Sequence, residues 1–183
     1  MFGKANALIY VRRSSLLVAG KHIKPARLNF TAEAVENLEV VDADVLGTLC
    51  QDFFTSNGLK GQRALMVLDH SVVFAKSLAL DENTKPTELM KDFTDQIPLN
   101  EGDRAVLSLR TTSTLKLFAT NAPFYQVIAD ALHAAGGGKL LAVTPVAAYG
   151  ISENNQLSSS VVNQLLSDTT VRSKANFLGV TPS

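Results

Sequence analysis

From Asp42 onward, helical and extended patterns alternate along the chain, and this alternation restricts the possible folds more than any single motif does. Asp42 and Asp44 are placed to cap a helix whose apolar residues Val45, Leu46, Leu49, Phe53 and Phe54 recur at helical spacing, with Gly58 as a left-handed stop. Residues 62–68 are apolar nearly throughout, which marks a strand central in its sheet. Residues 72–80 form a second strand beyond the corner Asp69, His70 and Ser71. Pro86 suits the first turn of a helix carrying Leu89, Met90, Phe93 and Ile97, and Pro98 ends it. Strands at 105–109 and 115–120 flank the polar corner 111–114. Asn121 is placed to cap, and Pro123 to start, a helix bearing Phe124, Val127, Ile128, Ala131 and Leu132, stopped by Gly136, Gly137 and Gly138. A strand at 140–143, a short helix at 145–149 and a weaker helix at 160–166 complete the pattern.

Ahead of this alternation lie three short extended runs, 7–11, 16–19 and 27–30, punctuated by Arg12, Arg13, Gly20 and Pro25. Connections this short predict an antiparallel meander. The order is three strands, helix, two strands, helix, two strands, helix, strand, helix, which predicts a mixed α/β fold. Residues 81–135, bounded by DENTKP and the glycine run, read as an inserted small α+β subdomain. The core is then 1–80 with 136–175, and 176–183 is a tail or linker.

Composition narrows the function. Hydrophobic residues make up 46% of 183, enough for a substantial core, and Lys plus Arg equals Asp plus Glu at 17 each. A net charge of zero gives no long-range field to hold nucleic acid or an acidic membrane. The single cysteine, Cys50, lies in an apolar helical pattern, which predicts a buried thiol and a reducing compartment. No stretch approaches the ~18–20 apolar residues of a membrane span, and the apolar run before Arg12 is too short for a signal peptide, so a cytoplasmic protein is expected.

The segment DADVLGTLCQDFFTSNGLKGQRALMVLDHSVVFAKSLAL resembles the part of PilM-like proteins where a helix ends in an NGLKGK-like turn and two strands follow. The later GGGKLLAVTPVAAYG is similar in kind to their glycine turn, strand and alanine-rich helix. The resemblance covers roughly 5–150. It implies an actin-like fold, built on a ribonuclease-H-like lobe with a small inserted subdomain, here reduced to one lobe as in cytoplasmic domains of the GspL kind. It also implies a place in a type IV pilus or type II secretion assembly platform at the inner face of the cytoplasmic membrane. A PilN- or GspM-like subunit, a secretion ATPase or a second copy is the implied partner. Any membrane association is expected through partners or a segment beyond Ser183.

The first hairpin separates enzyme from scaffold. In ATP-binding members it reads like L-D-I-G-S-S-S-V-K. Setting IYVRRSSLL against it places Tyr10 at the metal-organising Asp, Arg12 at the Gly and Leu17 at the Lys. The expectation is therefore a protein without cofactor, metal or catalytic residues, acting through protein contacts. An FtsA-like or PilM-like nucleotide hydrolase is the alternative. Ser14 and Ser15 read as turn residues, and no phosphate-binding glycine loop precedes a helix elsewhere. His22, His70 and His133 are scattered without ligand spacing. Asp69 and Asp103 read as turn carboxylates, and Asp69, His70 and Ser71, being adjacent, point to opposite sides of an extended chain and do not make a triad. Candidate interface residues are Tyr125 and the corner Thr111, Thr112 and Thr114, with open sheet edges as places for a partner strand.

Overall fold

The computed structural model describes residues 4–81, 85–153 and 156–182. The opening meander is present as β1 (Ala7–Arg12), β2 (Ser15–Gly20) and β3 (Ile23–Asn29). A small hairpin, β4 (Val35–Glu36) and β5 (Glu39–Val40), leads into α1 (Ala43–Ser56). After β6 (Arg63–Leu68), a single 3-10 turn at His70–Val72 precedes β7 (Phe74–Ala79). Next come α2 (Pro86–Asp95), β8 (Arg104–Arg110), β9 (Thr114–Asn121), α3 (Ala122–Ala134) and β10 (Lys139–Pro145). A 3-10 turn at Val146–Tyr149, α4 (Ser159–Ser167) and α5 (Thr169–Lys174) close the described chain. This is the mixed α/β architecture that the alternation predicts.

The main sheet has the order β10-β6-β1-β2-β3, with β10, β6 and β1 parallel and β2 and β3 antiparallel. Strand alternation gives it two apolar faces. Ile9 and Val11 of β1 join Leu46 and Phe54 of α1 and Phe124 and Ile128 of α3 in one core. Leu8 and Tyr10, pointing the other way, join Leu65, Val67 and Leu165 of α4 in a second. The start of α1 is held as expected: Asp42 accepts from the N–H groups of Asp44 at 2.9 Å and Val45 at 3.0 Å. Gly58, at φ 74°, makes the left-handed stop.

The smaller sheet, β7-β9-β8, buries Leu115, Leu117 and Ala119 against Phe93 and Ile97 from α2 and the residues after it. Its limits differ from the expected 81–135. It takes β7 from before that start, and α3 leaves it to pack on α1 and the main sheet. The reason is the stripe Phe124, Ile128 and Leu132, one residue per helical turn, all buried in the larger core. The DENTKP boundary falls largely on 82–84, outside the described residues.

The ends of the main sheet also depart from expectation. Beyond β10, Asn176 Oδ1 accepts the Val143 N–H at 2.9 Å, the Phe177 N–H donates to the Val143 carbonyl at 2.8 Å, and the Phe177 ring is fully buried. The expected tail is therefore an edge cover. At the other side, Phe30 donates to the Ser14 carbonyl at 2.9 Å and Ser15 pairs with Asn29. Pairing alternates from there, so Leu28 and Ala26 turn their backbone groups inward, and Pro25 and Arg27 turn theirs outward. Pro25 offers no N–H to an added strand, and Lys24 and Arg27 are exposed beside it. Neither edge invites strand addition.

The β4–β5 hairpin went unread in the sequence. Its turn residues Asn37 and Leu38 have φ of 50° and 72°, a left-handed pair in which leucine is an unfavourable occupant. Arg13 Nη2 donates to Asn37 Oδ1 at 2.8 Å, and Asn121 Nδ2 donates to the Leu38 carbonyl at 3.0 Å. Asn121 spends its amide there and makes no side-chain cap for α3.

Candidate functional site

Parallel strands β1, β6 and β10 end side by side, the position where open α/β sheets hold ligands. Here side chains of the chain itself bond one another, beside a cavity of about 280 Å³ lined by His70, Lys76 and Ala147. Tyr10 lies on the α4 face, 5% exposed as a residue, and its hydroxyl donates to Asp69 Oδ2 at 2.7 Å. Asp69 Oδ1 accepts the Ser71 N–H at 3.0 Å. The Arg12 guanidinium sits 5.5 Å above the Tyr10 ring, with Nε 4.0 Å from Asp69 Oδ2. Burial pulls the Asp69 carboxyl up, but the Tyr10 hydroxyl, Ser71 and then Arg12 outweigh it and hold the group below the usual range. The same burial, with the Asp69 bond and charge, pushes the Tyr10 phenol well above its ordinary value.

Tyr10 and Leu17, which stand where the resemblance places an Asp and a Lys, are cross-strand partners in the β1–β2 register. They form an aromatic-aliphatic cross-strand pair. The neighbouring polar groups are also engaged. The Tyr149 hydroxyl lies 3.1 Å from Thr144 Oγ1, and burial pushes its phenol up to about 12. His70 Nε2 is 2.9 Å from the Ile151 carbonyl oxygen.

The letters Asp69, His70 and Ser71 resolve into three separate partnerships. Asp69 takes Tyr10, His70 takes Ile151, and Ser71 Oγ accepts the Arg13 N–H at 3.1 Å. His22 is exposed at the β2–β3 turn and His133 is exposed on α3, so the three histidines stay apart. Among the described residues no group of three His, Cys, Asp or Glu is placed to hold a metal ion. Cys50 is buried, and desolvation pushes its thiol up to about 12.

The expected interface residues divide. Tyr125 is 2% exposed, tilted against Phe177 at 6.2 Å between ring centroids, so it is a core residue and not an interface. Its position in the buried stripe of α3, next to Phe124, is the cause. Thr111 and Thr112 are exposed at the β8–β9 corner and Thr114 is half-buried, but the hydroxyls of Thr111 and Thr114 bond each other at 2.7 Å. That pairing spends two of the three side chains on holding the turn.

Sequence reasoning missed a concavity beside α4. A groove of about 970 Å³ runs between α4 and the β2–β3 part of the main sheet. Leu17, Pro25, Val162 and Leu166 make apolar walls, and Lys4 and Lys21 stand at the rim. None of its described lining residues is a carboxylate. In α4 only Leu165 of the apolar residues is buried, and Val161, Val162 and Leu166 are left half-covered, a burial pattern that the sequence alone does not give.

No family model matches the chain, and no curated protein matches it in sequence. Solved structures do match in shape. A PilM–PilN type IV pilus biogenesis complex aligns with TM-score 0.52 at 13% identity, over 82% of this chain and 49% of that one. The cytoplasmic domain of EpsL, an inner membrane component of the type II secretion system of Vibrio cholerae, gives TM-score 0.49 at 11% identity, over 78% and 58%. A Bacteroides thetaiotaomicron protein with an actin-like ATPase fold and unknown function gives 0.39 at 10%, over 71% and 49%. The chain spans about half the length of the structures it matches. The likeness to the PilM–PilN structure is one of fold, a mixed α/β fold in keeping with the PilM-like resemblance.

Proposed function

We propose that this chain is a non-catalytic scaffold subunit of a type IV pilus or type II secretion assembly platform, holding a segment of a membrane-anchored partner at the inner face of the cytoplasmic membrane. The observation that carries the reading is the open apolar groove beside α4, together with a strand end whose side chains bond one another. Tyr10, Asp69 and Arg12 are engaged with one another where nucleotide chemistry would sit. Beside α4, about 970 Å³ with apolar walls lies uncovered. A groove of that volume suits a few aliphatic side chains of a bound segment. The matched PilM structure is a complex with PilN, and a PilN- or GspM-like subunit is the partner proposed here.

The test is binding of the cytoplasmic segment of the membrane subunit made alongside this protein, by fluorescence anisotropy. Val162→Glu in the groove should abolish binding, and Thr112→Glu should leave it. Equal binding by both variants counts against the groove. A second reading, an actin-like nucleotide-binding protein, has one observation in its favour: Asp69 is held ionised at a strand end. A saturable, magnesium-dependent rise in Tm with ATP would support that reading against the scaffold, since a ligand stabilises by RT ln(1 + [L]/Kd).

A further inference from the structure

Zero net charge conceals a segregation. Residues 1–32 hold six basic side chains and no acidic one, and residues 33–44 hold five acidic side chains and no basic one. Lys4 and Lys21, on the groove rim, and Lys24 next to it make no ion pair among the described residues. Nor do Glu39, Asp42 and Asp44. Between these acids stands Val41, 56% exposed, the most exposed large hydrophobic among the described residues. The chain thus presents an apolar groove with a basic rim and, elsewhere, an apolar side chain in an acidic frame. We infer that a second copy of this chain covers the groove, placing its Glu39–Asp44 segment against Leu17, Pro25 and Val162 with its carboxylates on Lys4, Lys21 and Lys24.

The topology decides how copies join. The groove lies on the α4 face, at the amino end of β1, where Lys4 and the Lys21 turn are. Leu38 and Val40, just before Val41, pack on the opposite, α1–α3 face. Their hairpin is tied to Arg13, at the carboxyl end of β1. Groove and segment therefore sit on opposite faces and at opposite ends of the main sheet, so no copy fills its own groove. A contact between two different patches is heterologous, and each added copy leaves one groove and one segment free. Each exposed ion pair contributes little, so the attraction needs the set of carboxylate–lysine pairs acting together with burial of Val41, which makes it salt-sensitive and lets reversal of one charge replace attraction by repulsion.

This inference rests on the reading that the groove holds a segment and concerns the chain free of its membrane partner, whose segment would displace the second copy from the same groove; sedimentation of the full chain tests it. At about 50 mM salt the mean mass should rise past a dimer with concentration, and at about 500 mM, where charges are screened within a few ångströms, it should fall back toward monomer. Val41→Lys and Lys21→Glu, both at exposed positions, should each weaken association at least tenfold with Tm unchanged; Lys24→Glu replaces the latter if it fails to fold. An equimolar mixture of the two variants keeps one intact groove and one intact segment, so it should form a 1:1 dimer and nothing larger. A wild type that stays monomeric, stops at a dimer, or associates only when residues 1–3 are removed overturns the inference, as does a variant that assembles like wild type. Should the wild type stay monomeric while Val162→Glu still abolishes binding of the membrane subunit's segment, this inference falls and the scaffold reading stands.

Discussion

The Tyr10 hydroxyl donates a 2.7 Å bond to Asp69 between neighbouring parallel strands, and the phenol and carboxyl shift in opposite directions because of it. Tyr10→Phe should cost about 1–2 kcal/mol at pH 7, measured by urea denaturation, since it leaves a partly buried carboxylate short of a donor. The pH dependence has a definite sign. Asp69 is lowered in the folded chain, so its contribution is present above about pH 4 and is lost as pH falls through the folded value. Tyr10 is raised, so its contribution is present below about pH 10 and is lost as pH climbs above that. The variant should show a shallower loss at both extremes. A pH profile parallel to wild type would contradict the geometry.

Cys50 is fully buried in α1 and its thiol is pushed up to about 12. At pH 8 the folded protein should react with a thiol reagent many times more slowly than the urea-unfolded chain, because the thiolate is the nucleophile. Comparable rates would mean that α1 opens readily.

Phe177 should behave as a core residue despite its place near the end of the chain. Phe177→Ala is expected to cost roughly 3–5 kcal/mol, the same range as Phe54→Ala in the middle of α1, since both rings are fully buried. Removal of residues 176–183 should destabilise further, exposing the Val143 backbone groups. A loss below about 1 kcal/mol for Phe177→Ala would return this segment to a linker.

Of the expected interface residues, Tyr125 is buried and Thr112 is exposed, so charges placed on them should act differently. Tyr125→Asp buries a charge beside Phe177 and should unfold the domain, seen as loss of a cooperative thermal transition. Thr112→Glu, at an exposed turn, should change stability by no more than about 0.5 kcal/mol.

Periodicity carried the elements because the forces that set it are local. The cap at Asp42, the left-handed Gly58 and the apolar stripe on α1 are all short-range features, and they fell where expected. What stayed illegible depends on partners distant in sequence. Asn121 has the chemistry of a helix cap, yet its amide goes to Leu38. Tyr125 opens a helix in a polar-flanked context, and only the return of Phe177 buries it. The β4–β5 turn carries an asparagine and a leucine with no glycine to announce it, so two tertiary hydrogen bonds maintain a backbone that propensity disfavours. The Tyr10–Asp69 bond was not legible either, since the residues are 59 apart.

That hairpin has a consequence for the order of assembly. One of its two fastenings reaches from Leu38 to Asn121, 83 residues further along. A chain emerging from synthesis has β1, β2 and Arg13 long before it has β9, and closing so long a loop carries an entropic cost that few local contacts offset. Until residue 121 arrives, the Leu38 turn is held from one side only. Asn121, closing the last-made strand of the smaller sheet, thus locks an early-made turn late, after that sheet's three strands have emerged and before β10 completes the larger one.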